Sequence, residues 1–321
     1  KVSICIPTHN QGRFIRQCLE SVLNQTYRDI EVVVSVNHCT DNTEEILGEF
    51  SDPRLRIVKP AEFLPVTENF KFCISHARGM YLNYLSSDDM LLPEFVESQS
   101  RVLDENPRVA FVHCAAERID EEGKTTGLEK SVRTSFIRRG EKEFKRYLSR
   151  MRCVGDSLLI RRKAFRSAGG IGKGIFLDWD LCLRLCRQGD VAYNGRVLMK
   201  YRDWTDPYRA GERRSKLFRD RTAFYERWQK IIETEYPFLK GRLRKARRQA
   251  ALRGITAFSD KMLRASSPAR ETVLRLSDSF PVRVKLWLTK RGFGFFWTGK
   301  RFLLSRIKKI IKSIFYRRVP G

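Results

Sequence analysis

The chain has 321 residues and a formal net charge of +26, length enough for one large or two modest domains around a buried core. The charge is uneven: residues 1–208 hold 32 Lys and Arg against 29 Asp and Glu, whereas residues 209–321 hold 31 against 8, which marks domains 1–206 and 207–321 and points to an anionic partner for the second. No run approaches eighteen apolar residues, which excludes a membrane-spanning helix, and eight scattered cysteines in apolar surroundings read as reduced core thiols of a cytosolic protein.

Val2 to Pro7 reads as a strand and not as a signal peptide, and a helix follows from about Gln11 with Phe14, Cys18, Leu19 and Val22 on one face. Ile30 to Val36 is a near-continuous β-branched run, as in a parallel strand buried on both sides. A helix over 43–50, a strand over 55–58, a helix over 67–76 and the strand 80–85 continue the alternation, which predicts a doubly wound, mostly parallel α/β sheet. Further on come a helix from about Glu94 to Leu103, a strand over 109–113 with its hairpin turn at Glu122-Gly123, a strand over 155–160 and a helix over 178–187. From about Gly211 the composition becomes basic and helical.

Two features stand out from this pattern. Asp88-Asp89 emerge at a strand end, where open α/β sheets bind ligands, and adjacent carboxylates repel unless a cation lies between them. A divalent metal carrying a phosphorylated substrate satisfies that demand, and a helix-capping turn before Pro93 is the alternative. At the other end, Leu303, Ile307, Ile310, Ile311 and Ile314 fall on one stripe of a helix over 301–316 whose other face is basic, just after Phe296 and Trp297. These residues are the expected contact with an anionic membrane surface, the alternative being a helix packed on the first domain.

The opening VSICIPTHNQGRFIRQCLESVLNQTYRDIEVVVSVNHCTDNT, then ARGMYLNYLSSDDMLLPEF, then FLDWDLCLRL, resembles the family 2 inverting glycosyltransferases over residues 2–205. The resemblance implies the GT-A fold and a sugar transferred from a nucleotide-sugar donor. It places Pro7, Thr8, Asn10, Asn37 and Asp41 around the nucleoside, Ser86 and Asp88 at the donor, and Asp89 with Asp88 on a divalent Mn2+ or Mg2+ ion. Asp178 falls at the general base, with Gly155 and Ser157 beside the donor sugar or acceptor. Three positions depart from the pattern: Val36 where many members carry a base-contacting acid, Ser86 in place of the first acid of the metal motif, and Asp203 where relatives often carry a metal-binding histidine.

The chemistry fits these residue types. Diphosphate leaves with growing negative charge, which a cation with hard oxygen ligands offsets, and a carboxylate at Asp178 takes the proton of the attacking hydroxyl. The expected activity is inverting, metal-dependent transfer from a nucleotide sugar, UDP-sugar favoured, to a membrane-associated glycan or lipid-linked acceptor of the cell envelope. The expected location is cytoplasmic, peripheral on the inner face of the plasma membrane, with no specific nucleic acid bound. The alternative is a degenerate GT-A domain acting as a nucleic-acid- or membrane-binding partner.

Overall fold

The computed structural model describes residues 2–172, 176–203 and 213–257. Residues 1–213 and 223–246 form one compact unit, and 214–222 with 247–321 a second. The stripe residues of 301–316, Phe296, Trp297 and the boundary near residue 206 lie outside the described residues.

Strands β1 (Val2–Thr8), β2 (Ile30–Val36), β3 (Leu55–Val58) and β4 (Tyr81–Tyr84) pair in parallel in the order β3-β2-β1-β4. The β-branched and aromatic residues of β1, β2 and β4 are buried on both faces, as central parallel strands require, whereas the edge strand β3 is only partly covered and exposes Ile57. Helices α1 (Ile15–Leu23), α2 (Thr43–Gly48) and α3 (Val66–Ser75) make the crossovers. Helix α1 buries Ile15, Cys18, Leu19 and Val22, the face its spacing predicts.

Past β4 the sheet becomes mixed. A two-residue strand β5 (Met90–Leu91) and helix α4 (Phe95–Glu105) lead to β6 (Val109–Ile119), whose hairpin to β7 (Thr125–Glu129) turns through Gly123 at φ 84°. The expected turn is therefore present. Strand β8 (Phe136–Arg138) and helix α5 (Gly140–Tyr147) follow. Residues 155–157, read as the start of a strand, form a 3-10 turn instead, and only Leu159–Arg161 (β9) pairs. The turn is held by Ser157 Oγ donating to Val154 O at 2.6 Å and by the close packing of Gly155.

Helices α6 (Arg162–Ser167) and α7 (Leu177–Leu185) precede a 13-residue strand, β10 (Asp190–Arg202). The full order is β3-β2-β1-β4-β9-β6-β10-β5, with β7 on β6 and β8 on β10. Strand β9 is antiparallel to both β4 and β6, while β6 and β10 are parallel. This is a mostly parallel α/β sheet of the GT-A type.

Helix α8 (Arg213–Glu235) and, after a short turn, helix α9 (Lys240–Ala257) continue the chain. The part of α8 from residue 223 packs on α5 and α7: Phe224 stacks on Trp179 at 4.5 Å and Trp228 on Phe144 at 5.6 Å. All eight cysteines are free thiols, six of them buried. Among the described residues no helix is long and apolar enough to cross a membrane.

Candidate active site

The carboxyl ends of β1, β2 and β4 converge, since β1 lies between the other two. The first two loops are laced to each other by the polar residues that the sequence singles out. Asn10, in the left-handed region at φ 51°, accepts the Thr40 N–H at 2.8 Å through its side chain. Asp41 accepts the Gly12 N–H at 2.8 Å and the Thr43 hydroxyl at 2.6 Å. These hydrogen bonds hold the Asp41 carboxyl below its usual range against the opposing effect of burial, the largest single influence on it. A Cβ on Gly12 would meet Asn42 Oδ1 at 1.9 Å, so a larger residue there displaces the exposed Asn42 side chain.

Asn37 is buried, and both ends of its amide are engaged: Nδ2 donates to Leu64 O at 2.8 Å and Oδ1 accepts the Leu64 N–H at 2.9 Å. It thereby fixes the loop after β3, on which Phe63 stands exposed, edge-on to the His9 ring at 5.1 Å. His9 Nδ1 donates to Asn37 O at 2.7 Å. Pro7 and Thr8 end β1 beside Ser35 and Val36, and the buried Thr8 hydroxyl has no protein partner.

The acidic loop follows β4. The Asp89 N–H donates to Ser86 O at 3.1 Å, which closes a turn and places Asp88 and Asp89 together. Arg202, at the end of β10, holds this turn from one side. Its own N–H donates to Asp89 Oδ1 at 2.8 Å, its Nε to Asp88 O at 2.9 Å, and its Nη1 to the carbonyls of Asp120 and Glu121 at 2.8 Å each. The guanidinium also lies over the Phe14 ring at 4.5 Å. From the other side, Asp156 Oδ1 accepts the Ser86 N–H.

Asp178, in the first turn of α7, completes the group. The Tyr84 hydroxyl donates to its Oδ1 at 2.9 Å. Gly155 abuts the carboxylate so closely that a Cβ there would lie 2.3 Å from Asp178 Cγ. The family resemblance expects Gly155 beside the donor sugar or acceptor; in the structure its neighbour is Asp178. Burial raises the Asp178 carboxyl above its usual range, with the tyrosine hydrogen bond opposing. The residue as a whole is half-buried.

Asp156 was not apparent as a site residue from the sequence. Burial, followed by the charge of Asp178, pushes its carboxyl up to about 7. Asp89 is raised well above the carboxylate range by burial, then by Asp156 and Asp88. Three acids from three segments thus repel one another in a poorly solvated space.

Suitability for a divalent cation can be judged at Asp89. Its Oδ2 is buried and has no hydrogen-bond partner among the described residues, and the charges of Asp156 and Asp88 bear on it against that of Arg202. A hard cation relieves both conditions. Among the described residues no three His, Cys, Asp or Glu side chains are grouped to hold a metal by themselves, so Asp89 and Asp88 supply only part of a coordination shell. Ser86 in place of a third acid accounts for part of that shortfall. Asp203 is exposed and 4.0 Å from Arg118, and the structure does not group it with a metal-binding set.

Asp180, two residues after Asp178, has a structural environment. It is buried and accepts from Arg184 at 2.9 Å, Arg227 at 2.8 Å and Trp228 Nε1 at 3.0 Å. Ser157 is likewise buried, in the turn its hydroxyl caps. His113 lies in an aromatic cluster with Tyr193 at 4.8 Å, and burial lowers its pKa to about 3.

Residues 3–169 match the model of glycosyl transferase family 2, more than half of the chain, and the protein belongs to that family. Its fold is of the GT-A type. An uncharacterised glycosyltransferase of Rickettsia typhi is 28% identical over 211 residues, 63% of either chain. Chondroitin synthase of Pasteurella multocida is 34% identical over 125 residues, 38% of this chain and 13% of that one. The chain thus spans less than two thirds of the length of these relatives. Among solved structures, residues 1–349 of S. aureus TarS with UDP-GlcNAc superpose with a TM-score of 0.60 at 11% identity, covering 91% of each chain. The mannosyltransferase PcManGT of Pyrobaculum calidifontis, with GDP-Man and Mn2+, gives 0.56 at 16% identity, covering 93% of this chain and 88% of that one.

Proposed function

We propose that the protein transfers a sugar from a nucleotide-sugar donor, UDP-sugar favoured, to an acceptor hydroxyl with inversion at the anomeric carbon. The observation that carries this reading is the placement of Asp178, its carboxylate backed by Gly155 and oriented by Tyr84, in the same buried space as Asp89. A base on the acceptor side and acids on the diphosphate side are what single displacement requires.

In this reading Pro7, Thr8, Asn10, Asn37 and Asp41 build the nucleoside wall, Asn10 and Asp41 by locking one loop to the next and Asn37 by fixing the Phe63 loop. Asp89 and Asp88 hold a Mn2+ or Mg2+ ion, which when bound offsets the charge of the departing diphosphate. Ser86 starts the turn that aims them. Asp178 takes the acceptor proton; its raised pKa makes it a stronger base than an exposed carboxylate, while Tyr84 keeps it oriented. Manganese and two donor nucleotides are bound in the solved neighbours, which supports a metal and a nucleotide sugar here.

The acceptor in this reading is a membrane-associated or lipid-linked glycan on the cytoplasmic face of the plasma membrane. The motivation is the charge of residues 209–321, 31 basic against 8 acidic. A thermal-shift panel of UDP-, GDP-, CDP- and ADP-sugars with and without Mn2+ tests the donor, and a stabilising shift that requires metal is expected for one of them. Asp178→Asn is expected to lower transfer by about 10²-fold or more at unchanged thermal stability. Wild-type transfer rates in that variant remove Asp178 as the base.

A further inference from the structure

The first domain is close to neutral, but one stretch of it is not. Residues 130–152 carry nine Lys and Arg against two acids, Glu141 and Glu143. Both acids are occupied. Glu141 pairs with Lys145 at 2.5 Å, and the buried Glu143 is shared by Arg138 at 2.9 Å and Arg146 at 3.2 Å. No ion pair is formed by Arg150 or Arg152 among the described residues. Arg152 is half-buried and its Nε is shut off from solvent without a hydrogen-bond partner. Burial lowers its pKa most, the charges of Arg146 and Arg150 add to this, and the charge of Glu143 opposes it.

This cluster adjoins the reaction centre on the side of the base. Arg152 is three residues from Gly155, hence no more than about 11 Å away along the chain, and Gly155 abuts the Asp178 carboxylate. The turn carrying the arginines is fastened to α7 at the next residue, where Trp179 Nε1 donates to Tyr147 O at 2.6 Å. The donor loops lie at the ends of β1, β2 and β4, on separate segments.

We propose that Arg146, Arg150 and Arg152 form an acceptor subsite for an oxyanion, a phosphate or carboxylate group, so that the acceptor is an anionic glycan. Guanidiniums recognise both groups through paired N–H donors, and a buried unpaired Nε next to like charges is a donor lacking its acceptor. The assignment to the acceptor rests on the reading of Asp178 as the base.

The test measures anion binding by the full-length chain, in EDTA and without donor, by fluorescence anisotropy in about 0.15 M salt. The probes are a labelled polyphosphate, an oligogalacturonate of equal charge and a neutral dextran oligomer. The R150A/R152A variant is expected to weaken binding of one anionic probe about tenfold, with R150K/R152K recovering it only partly. K308A/K309A, which removes the same charge from the basic tail, is expected to have a smaller effect. Polyphosphate preferred over oligogalacturonate identifies a phosphate-bearing acceptor, and the reverse a uronate. Equal losses in the two alanine variants, no loss in either, or dextran binding as tightly as the anions overturns the subsite. A chain that binds anions through these arginines but transfers no sugar overturns the reading of function and leaves the anion site standing.

Discussion

Glycine is the only residue that lets the chain pass Asp178 at residue 155. The Cβ of alanine would lie 2.3 Å from the Asp178 Cγ, so the carboxylate proposed as base, or the turn, must move. Gly155→Ala is expected to lower kcat by about 10²-fold, the scale of a misplacement of about 1 Å, with the donor thermal shift retained; an unchanged kcat means that the base is not positioned by this contact. Asp156 makes a separate prediction. Its folded-state pKa, pushed up to about 7, exceeds the ordinary 3.8 of an unfolded chain. Between those values the folded protein binds more protons than the unfolded one, so the contribution of Asp156 to stability falls as pH rises from about 4 to 7. The thermal stability of Asp156→Asn relative to wild type is therefore expected to increase from pH 5 to pH 8, and a constant difference refutes the raised pKa. Asn37 shows how a polar residue at a strand end can build a loop instead of facing a ligand: an aspartate there cannot donate to Leu64 O, so the Phe63 loop depends on the amide.

At the scale of elements, the docking of α8 is the most exposed to test. Trp228 is fully buried, against Phe144 and hydrogen-bonded to Asp180. Trp228→Ala is expected to destabilise the catalytic unit by about 3–5 kcal/mol, measured by urea unfolding. A loss under about 1 kcal/mol would show that α8 is loosely attached. The alternation of strand and helix through β4 was legible because each element carries its own periodicity: the run Ile30 to Val36 and the spacing Phe14, Cys18, Leu19, Val22 need no partner to be recognised. Strand β10 was not. Its sequence, DVAYNGRVLMKYR, breaks its alternation at Asn194-Gly195, where the pairing with β6 shifts register. The turn at 155–157 was hidden for a different reason. Its apolar neighbours read as strand, and what bends it is contact with Asp178, more than twenty residues further on. The same distance concealed Asp156 and Arg202 as supports of the acidic loop, whereas Asp88-Asp89 and Asp178 stood in motifs whose order could be read directly.

Over the whole molecule the charge is partitioned, and the two functions assigned to it separate by salt. Attraction of the basic region to an anionic vesicle is screened over about 8–10 Å, so flotation of the full-length chain with phosphatidylglycerol vesicles is expected to fall steeply between 0.05 and 0.2 M salt, as for other polyanion contacts. The donor-induced thermal shift, which depends on hydrogen bonds and metal ligation at short range, is expected to change less. Flotation indifferent to salt and to vesicle charge removes the electrostatic attachment. The sheet imposes a further condition on the catalytic unit. Its parallel block β3-β2-β1-β4 and the β6-β10 block are joined in the sheet by β9, in which Ile160 stands opposite Leu82 on one side and Phe111 on the other. Asp89 follows the first block, Asp178 precedes the last strand of the second, and Asp156 leads into the strand between. The reaction centre is thus a junction and belongs to neither half. Strand β9 covers the edge of β4 on one side and that of β6 on the other, so neither is left open to pairing with another chain.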